Sequence, residues 1–410
     1  MTVRFSRRTV LSGALAALAS GAIGDNAFAQ SAHMPFPQWV AAFRSHARAK
    51  GISDATYNRV MDQIKPDISV YALDQDQPEF HEEIWQYLNR RVSDWRITVG
   101  RDRAKEAMPL LQRVEHTYGV DPYVMLGLWG METAYGDLVT NPKHMRPVIP
   151  ALAALAWGEP RRRSYWEQEL LNAMVIVERG WADPKDMIGS WAGAMGHTQW
   201  MPEVWLNVGV DFDGDGRISP YGKPDDSLAG TARYLAERGK YRRGEGWGYE
   251  VLVPPGLSAG ARTMRSIASW HSRGVRRANG KAFSRPSELA RLWQPAPGGP
   301  VFLLTHNFDA VKSYNPANTY ALAVCHLGDR IRGEGPFVQE FPGSERAPTL
   351  AEVQEIQRRL TALGFDTGGA DGRVGNGTML AIRDYQHKIG MDPADGYAGV
   401  KLLARLRQGP

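Results

Sequence analysis

Helical periodicity covers most of residues 36–333 and limits this part of the chain to a mainly helical fold. Trp39, Phe43 and Ala47 recur every four residues, which is typical of an amphipathic helix. Apolar repeats of the same period continue through residues 82–115. A chain of 410 residues is too long for one ordinary core, so we expect more than one domain.

The pattern changes in residues 245–300, where strand-like runs replace the helical repeat. The run 251–253 in this stretch and the run 301–304 directly after it are apolar, and clusters of Gly and Pro lie near them, which favours strands bounded by turns. We therefore expect a small sheet inserted into the helical domain, giving a mainly helical α+β fold. Residues 334–348 contain Gly, Pro, Ser and Glu with little periodicity and are predicted to be a linker.

Residues 349–408 have the pattern of a separate small domain with three helices. Thr349 and Glu352 form a capping box that begins the first helix. The sequence Ala-Asp-Gly at residues 370–372 recurs at residues 394–396, each time before an apolar helical segment. Asp-Gly pairs favour turns because Gly accepts a positive φ and Asp caps the next segment. No catalytic set is recognisable here, so we expect this domain to bind a ligand.

Charge and cysteine content exclude several classes of protein. The formal net charge is +5, and residues 1–29 contribute three arginines and one aspartate, which leaves +3. This charge is too small to indicate a nucleic-acid-binding protein, although it suits an anionic polymer. The lone Cys325 excludes an internal disulfide framework and a cysteine-based zinc site.

Residues 1–29 are predicted to be a secretory signal. Residues 6–11 fit the twin-arginine pattern, and the apolar stretch 10–23 is too short to span a bilayer. Ala-Phe-Ala at residues 27–29 is typical of a cleavage site, and no Cys comes after it to carry a lipid. An ordinary Sec signal is the alternative. No later segment predicts a transmembrane helix, so we expect an exported, soluble, periplasmic protein.

A helix with an acid on its apolar face is predicted after Asp121. Asp121 and Pro122 form a typical helix start, and Gly136 is a plausible stop after Tyr135. One interpretation makes Glu132 an edge carboxylate or a salt-bridge partner. The other makes it a general acid whose pKa is raised by desolvation. The residues that share this face are Met125, Leu128, Trp129 and Glu132.

Residues 189–202 combine small residues with tryptophans. Gly and Ala would allow a polymer to approach the backbone, indole rings could stack on sugars, and polar side chains could orient a ligand. A tightly packed helix junction is the alternative. His197 alone is more consistent with a structural role than with a base. The candidate substrate contacts in this segment are Ser190, Trp191, Gln199 and Trp200.

Residues 211–219 match the first nine positions of an EF-hand loop. Acids occupy positions 1, 3 and 5, Gly occupies position 6, and a backbone carbonyl serves at position 7. Position 12 is Gly222 instead of Glu, but Asp225 and Asp226 come soon after and could close the loop, with Asp226 also capping the next helix. A turn rich in Asp without a metal is the alternative.

Residues 314–323 place polar aromatic side chains just before a helix, which suggests one wall of a site. Alone, this segment indicates little.

Together these segments resemble the lytic murein transglycosylase B family. The resemblance covers residues 36–333 and rests on four motifs in the expected order, among them residues 130–136 and 189–202. The last domain is similar to the peptidoglycan-binding-like domain. There, Val374-Gly375 and Tyr385-Gln386 replace the usual Phe-Gly and Phe-Gln.

The resemblance implies a lysozyme-like fold that acts on murein, with Glu132 as the catalytic acid. Peptidoglycan is the implied partner, Ca²⁺ the implied structural ion, and no organic cofactor is expected. The family often has Tyr or Phe where this chain has Trp191, His197 and Trp200. The implied substrate residues are Ser190, Gln199, Tyr314, Asn315 and Tyr320. The implied calcium ligands are Asp211, Asp213, Asp215, the carbonyl of Arg217, and Asp226.

A lytic transglycosylase is expected to work with one carboxylate, whereas most glycosidases need two. Glu132 would protonate the glycosidic oxygen and then accept the proton of the muramic C6 hydroxyl, giving a 1,6-anhydro product. Asp137 has no evident reason to point inward. A hydrolytic muramidase with a second acid and a non-catalytic wall-binding protein are the alternatives.

Overall fold

The structure is a computed structural model that describes residues 34–75, 82–139, 141–142, 144–257 and 263–409. The predicted signal at residues 1–29 lies outside the described residues. Among the helices that are described, none combines the length and apolar character needed to cross a membrane.

Helices make up most of the described chain, as the periodicity predicts. The first helix contains Trp39, Phe43 and Ala47 on its buried face. The helices are α1 Phe36–Ala49, α2 Asp54–Met61, α3 Val70–Gln75, α4 Ile84–Arg91, α5 Asp94–Tyr118, α6 Pro122–Thr133, α7 Val148–Gly158, α8 Arg163–Glu178, α9 Pro202–Val208, α10 Asp225–Glu237, α11 Ile267–Ser272, α12 His306–Lys312, α13 Asn318–Arg332, α14 Leu350–Ala362, α15 Asn376–Lys388 and α16 Val400–Arg407.

Two antiparallel sheets accompany the helices in the part of the chain that the structure describes. The larger sheet has the order β4-β6-β7-β3-β5, and Leu303 in its central strand pairs with Tyr249 on one side and Leu292 on the other. This sheet confirms the mainly helical α+β fold with a small inserted sheet. The strands are β1 Arg146–Pro147, β2 Ile188–Gly189, β3 Gly248–Leu252, β4 Arg265–Ser266, β5 Arg276–Arg277, β6 Leu289–Trp293 and β7 Val301–Thr305. Strands β1 and β2 form the smaller sheet.

Helices α6 and α13 pack closely and run antiparallel at the centre of the large domain. A Cβ atom on Gly127 would collide with the carbonyl of Val324, and one on Gly328 would lie too close to the carbonyl of Tyr123. Glycine at both places therefore allows the two backbones to touch. The antiparallel arrangement brings the C-terminal end of α6 to the N-terminal half of α13.

Two apolar cores hold the end of α6 and the segment 189–202. The first core contains α5, α6, α10 and α13, including Trp129. The second contains α1, α7 and α8 and extends to Met195 and Trp200 of the segment 189–202. The end of α6 and this segment are therefore both anchored in rigid cores.

The first half of the predicted linker packs as part of the large domain. Phe337 stacks on His326 with ring centroids 3.8 Å apart, and Phe341 is buried. The backbone N–H groups of Val338 and Gln339 donate to the carboxylate of Glu250. Low periodicity predicts a linker over this stretch, but the stretch packs through single aromatic residues, which leave no periodic pattern in the sequence.

The internal repeat of the last domain has a structural cause. A buried glutamine precedes each Asp-Gly turn: the Gln357 amide donates to Asp371 at 3.0 Å and accepts the N–H of Gly372 at 2.8 Å. Gln386 makes the same two bonds to the Asp395-Gly396 turn, at the same distances. The capping box of α14 is also present as predicted.

The last domain contacts the large domain through α4 and the start of α5. Gln86 donates to Asp395 at 2.6 Å, and the guanidinium of Arg373 lies 4.5 Å from the ring centre of Trp95. A cavity of about 820 Å³ remains between the two domains, and Trp191 lines it.

Candidate active site

The helix that carries Glu132 begins as predicted and ends earlier than predicted. Asp121 caps α6 by accepting the N–H of Tyr123, with Pro122 in the first turn. The helix ends at Thr133, because residues 134–136 take φ values of 52°, 63° and 93°. Three successive left-handed residues, two of them not glycine, are unusual and require support from their surroundings.

Glu132 lies beside the hydroxyl of Tyr320, which donates a hydrogen bond to its Oε1. Burial raises the pKa of the Glu132 carboxyl to about 7, against the lowering effects of the Tyr320 hydrogen bond and of the Arg91 charge. The Glu132 carboxyl therefore keeps its proton to a higher pH than an exposed glutamate does. This property is what a general acid requires.

Tyr314 and Asn315 lie in the turn before α13. The Tyr314 hydroxyl donates to the carbonyl of Thr198 at 2.6 Å, and burial raises its pKa well above the usual range. The Asn315 Oδ1 accepts the N–H of Ala317 at 3.1 Å. Tyr314 therefore joins the turn before α13 to the segment 189–202, and the structure brings the separate predicted segments together.

The segment 189–202 forms a tight double loop. Met195 pairs with both Gly189 and Trp200, and Ser190 Oγ accepts the N–H of Ala194 at 3.1 Å. Gln199 has a φ of 57°, and its amide donates to the carbonyl of Gly196 at 3.0 Å. Ser190 and Gln199 remain partly exposed, so both can still contact a ligand.

The two predicted stacking tryptophans have different environments. Trp191 is partly exposed and lines the cavity between the domains. Trp200 is fully buried, and its indole N–H donates to Thr231 at 2.9 Å. The expectation that Trp200 contacts substrate is therefore wrong for this structure, because its ring faces are covered by protein.

A half-buried arginine that no sequence pattern indicates braces the site. Arg96 in α5 donates to the carbonyls of Gly130, Arg90 and Arg91, so it joins the end of α4 to the last turn of α6. Tyr135 in turn donates to the carbonyl of Arg96 at 2.8 Å. Local patterns cannot identify Arg96, since Gly130 and Tyr135 are distant along the chain.

Asp137 does not face Glu132 in this structure. It is exposed, and its carboxylate lies 3.9 Å from Arg103 and 3.7 Å from Arg373. Among the described groups that shift the pKa of Glu132, none is a carboxylate.

Three carboxylates of the Asp-rich loop converge. Asp211, Asp213 and Asp226 each place an oxygen within 4.8 Å of the others. Burial, together with the charges of Asp213 and Asp211, raises the pKa of Asp226. Hard oxygen donors at this spacing fit Ca²⁺, and a cation there would relieve the repulsion.

Two details of the loop differ from expectation. Asp226 does not cap α10, which begins at Asp225; its two oxygens accept the N–H groups of Phe212 and Ser219 instead. Asp215 is outside the cluster, and its Oδ1 accepts the N–H of Arg217 at 2.8 Å.

Residues 35–329 match the family described as the transglycosylase SLT domain. The chain belongs to this family. Residues 349–406 match the family described as a putative peptidoglycan binding domain.

A curated relative of this SLT-family chain shares part of its length. Membrane-bound lytic murein transglycosylase B of Escherichia coli (strain K12) is 31% identical over 228 residues, which cover 54% of this chain and 60% of that protein. The match thus spans less than two thirds of the length of this relative.

Solved SLT structures share the architecture. SltB3 from Pseudomonas aeruginosa, in complex with NAG-NAM-pentapeptide, has a TM-score of 0.71 and 38% identity, covering 91% of this chain and 100% of that one. The same protein was also solved with NAG-anhNAM-pentapeptide, with a TM-score of 0.70. Slt35 from Escherichia coli, in complex with calcium, has a TM-score of 0.61 and 26% identity, covering 74% of this chain and 94% of that one.

Proposed function

We propose that this chain is a peptidoglycan lytic transglycosylase that cleaves the β-1,4 bond between MurNAc and GlcNAc and leaves a 1,6-anhydro-MurNAc end. The observation that carries the proposal is the position of Glu132 at the end of α6, where the Tyr320 hydroxyl of α13 donates to it and burial raises its pKa to about 7. Membership of the SLT family and the saccharide complexes of SltB3 support the substrate class.

Glu132 acts first as a general acid. Its proton passes to the oxygen that links the two sugars, the bond from that oxygen to C1 of MurNAc breaks, and GlcNAc leaves with a free hydroxyl. Glu132 is then a carboxylate, which the Tyr320 hydroxyl stabilises by donating to it. Arg91 adds a favourable positive charge.

The nucleophile is the C6 hydroxyl of the same MurNAc residue. The carboxylate of Glu132 takes the proton of this C6 hydroxyl while the hydroxyl oxygen forms a bond to C1. Glu132 therefore ends the cycle protonated. No water is consumed, and the tethered hydroxyl acts at a high effective concentration. This route suits a site in which Asp137 is turned towards Arg103 and Arg373.

The remaining residues have supporting roles in this proposal. Ser190, Gln199, Asn315 and Trp191 contact the saccharide, and Tyr314 holds the loop of Thr198. Asp211, Asp213 and Asp226 would hold Ca²⁺, with the carbonyl of Arg217 as a further oxygen donor, and the ion would stabilise the loop. The last domain would bind peptidoglycan. We also propose export to the periplasm through the twin-arginine signal at residues 1–29.

Product analysis tests the reaction type. Purified murein sacculi are digested in water enriched in oxygen-18, and the muropeptides are measured by mass spectrometry. We expect 1,6-anhydro ends that are one water lighter than hydrolytic products and carry no label. Labelled reducing ends would indicate a hydrolytic muramidase with a second acid, and binding without any cleavage would indicate a wall-binding protein.

A further inference from the structure

The imidazole of His197 packs against the last turn of α6. Its ring meets the indole of Trp129 edge-on, with centroids 5.7 Å apart. A Cβ atom on Gly136 would lie only 2.8 Å from two atoms of the ring. His197 is only 9% exposed, so most of its ring is in contact with protein.

The hydrogen bonds of the ring define its protonation state. His197 Nε2 lies 2.8 Å from the carbonyl oxygen of Gly222, which can only accept, so Nε2 carries a hydrogen. Nδ1 lies 3.3 Å from the indole nitrogen of Trp129, which can only donate, so Nδ1 must accept. Both bonds form together only in the neutral tautomer with hydrogen on Nε2.

The backbone of His197 also holds the end of α6. Thr133 donates from its hydroxyl to the His197 carbonyl at 2.6 Å and accepts the N–H of Gly136 at 3.1 Å. The His197 N–H donates to the carbonyl of Pro220 at 3.0 Å. His197 thus connects Trp129 and Thr133, which lie on either side of Glu132 in the chain, to the segment 220–222. These bonds support the left-handed run 134–136 that follows Glu132.

We propose that His197 is a positioning residue for Glu132, whose neutral imidazole holds the last turn of α6 in place and whose protonation releases it. A hydrogen on Nδ1 would face the indole N–H of Trp129, so the bond would be lost and two donors would oppose each other. The inference rests on the proposed function, because it takes Glu132 to be the catalytic acid.

The charges around the ring favour the neutral form. Burial lowers the pKa of His197, and the nearby Arg103 lowers it further, against the bond to the Gly222 carbonyl. The acids that line the cavity of about 420 Å³ beside the ring are Glu106, Asp137 and Asp225. Each already lies near an arginine: Glu106 and Asp137 near Arg103, and Asp225 near Arg113. We therefore expect His197 to become protonated only below the usual histidine range.

Steady-state kinetics across pH test the role. Wild type should lose kcat on the acid side as His197 gains its proton. His197→Gln has an amide that does not titrate, so this acid limb should disappear. His197→Ala should lower kcat roughly 10-fold at the optimum with a smaller change in KM, since misplacing a catalytic group slows chemistry.

The matched control is His326→Gln, which replaces another buried histidine that stacks on Phe337 away from Glu132. It should keep the wild-type acid limb. An acid limb unchanged in His197→Gln, or a kcat unchanged in His197→Ala, would overturn the proposal.

Nitrogen-15 NMR of the histidine rings gives a readout that is independent of activity. At neutral pH, His197 should show the Nε2–H tautomer, and its titration should coincide with the acid limb of kcat. The Nδ1–H tautomer or a charged ring at neutral pH would contradict the inference. If Glu132→Gln stayed active, the proposed function would fail, yet the NMR result would still show how His197 is bonded.

Discussion

At the scale of single residues, opposing effects act on the pKa of Glu132. Burial disfavours its charge, while the Tyr320 hydroxyl and the Arg91 charge favour it, and the balance raises its pKa to about 7. A carboxyl buried without these partners would resist ionisation more strongly and would give up its proton less readily.

Replacing Glu132 by Gln should abolish most activity without unfolding the protein. The amide has the same shape but cannot deliver a proton, so we expect a loss of at least ~10²-fold in the rate of muropeptide release. Circular dichroism should show a native fold. Wild-type rates from a folded Glu132→Gln protein would exclude Glu132 as the acid.

Replacing Tyr320 by Phe should shift the basic limb of the pH profile upwards. Glu132 must be protonated to act, so activity falls as pH rises through about 7 in the wild type. The Tyr320 hydrogen bond favours the ionised form, and its loss should raise the pKa of Glu132 by about one unit. The ratio kcat/KM measured from pH 5 to 9 checks this.

Tyr165→Phe is the matched control, because Tyr165 lies on α8 and its hydroxyl has no contact with Glu132 among the described bonds. It should leave the basic limb in place. A basic limb that stays unchanged in Tyr320→Phe would mean that the hydrogen bond does not set the pKa of Glu132.

Sequence patterns identify residues of the site better than they identify its contacts. Glu132 and Tyr320 are 188 positions apart, and only the antiparallel packing of α6 on α13 brings them together. The two tryptophans of one loop illustrate the limit: Trp200 is fully buried and bonds Thr231 of α10, whereas Trp191 stays partly exposed. Such differences arise from residues far along the chain.

At the scale of secondary structure, the end of α6 shows the same dependence on distant residues. Gly136 suggests a stop, but the helix ends at Thr133 because the Tyr135 side chain turns back into the core. Its ring fills space that side chains at Gly100 and Gly130 would block, and its hydroxyl bonds the carbonyl of Arg96. Local sequence propensity can identify Gly100, Gly130 and Gly136, but it cannot predict that the Tyr135 ring packs against the first two.

The Asp-rich loop should respond to Ca²⁺. A ligand that binds only the native state stabilises it, by about 2.7 kcal/mol at a concentration 100 times its Kd. We therefore expect Ca²⁺ to raise the Tm of the wild type and a chelator to lower it. Asp213→Asn should remove this response, since Asp213 belongs to the converging cluster.

The control for the loop is Asp186→Asn, an exposed acid outside it, which should keep the Ca²⁺ response. A Tm that is identical in chelator and in excess Ca²⁺ would favour the alternative interpretation. In that interpretation the turn binds no metal and is held by the backbone N–H groups that donate to Asp211.

At the scale of the whole molecule, the large domain extends further along the chain than the predicted linker at residues 334–348 suggests. Phe337 and Phe341 belong to the packing of the large domain. A truncation that spares the large domain must therefore keep residues up to 343. The second domain then begins near Thr349, where the capping box starts α14.

Deleting residues 344–410 should weaken binding to sacculi while sparing cleavage of short soluble glycans. Glu132, Tyr320 and the loop 189–202 all remain, whereas the domain that matches the peptidoglycan-binding family is lost. Pull-down by purified sacculi measures binding, and release of muropeptides from soluble glycans measures chemistry.

Full-length Glu132→Gln is the control, because it should bind sacculi like the wild type and cleave nothing. The deletion also uncovers the surface of α4 that Tyr397 contacts through Asn89 and Trp85, so its Tm must be measured alongside. If the folded truncated protein bound sacculi as well as the full chain, the large domain alone would account for attachment to the wall, and the last domain would need another role.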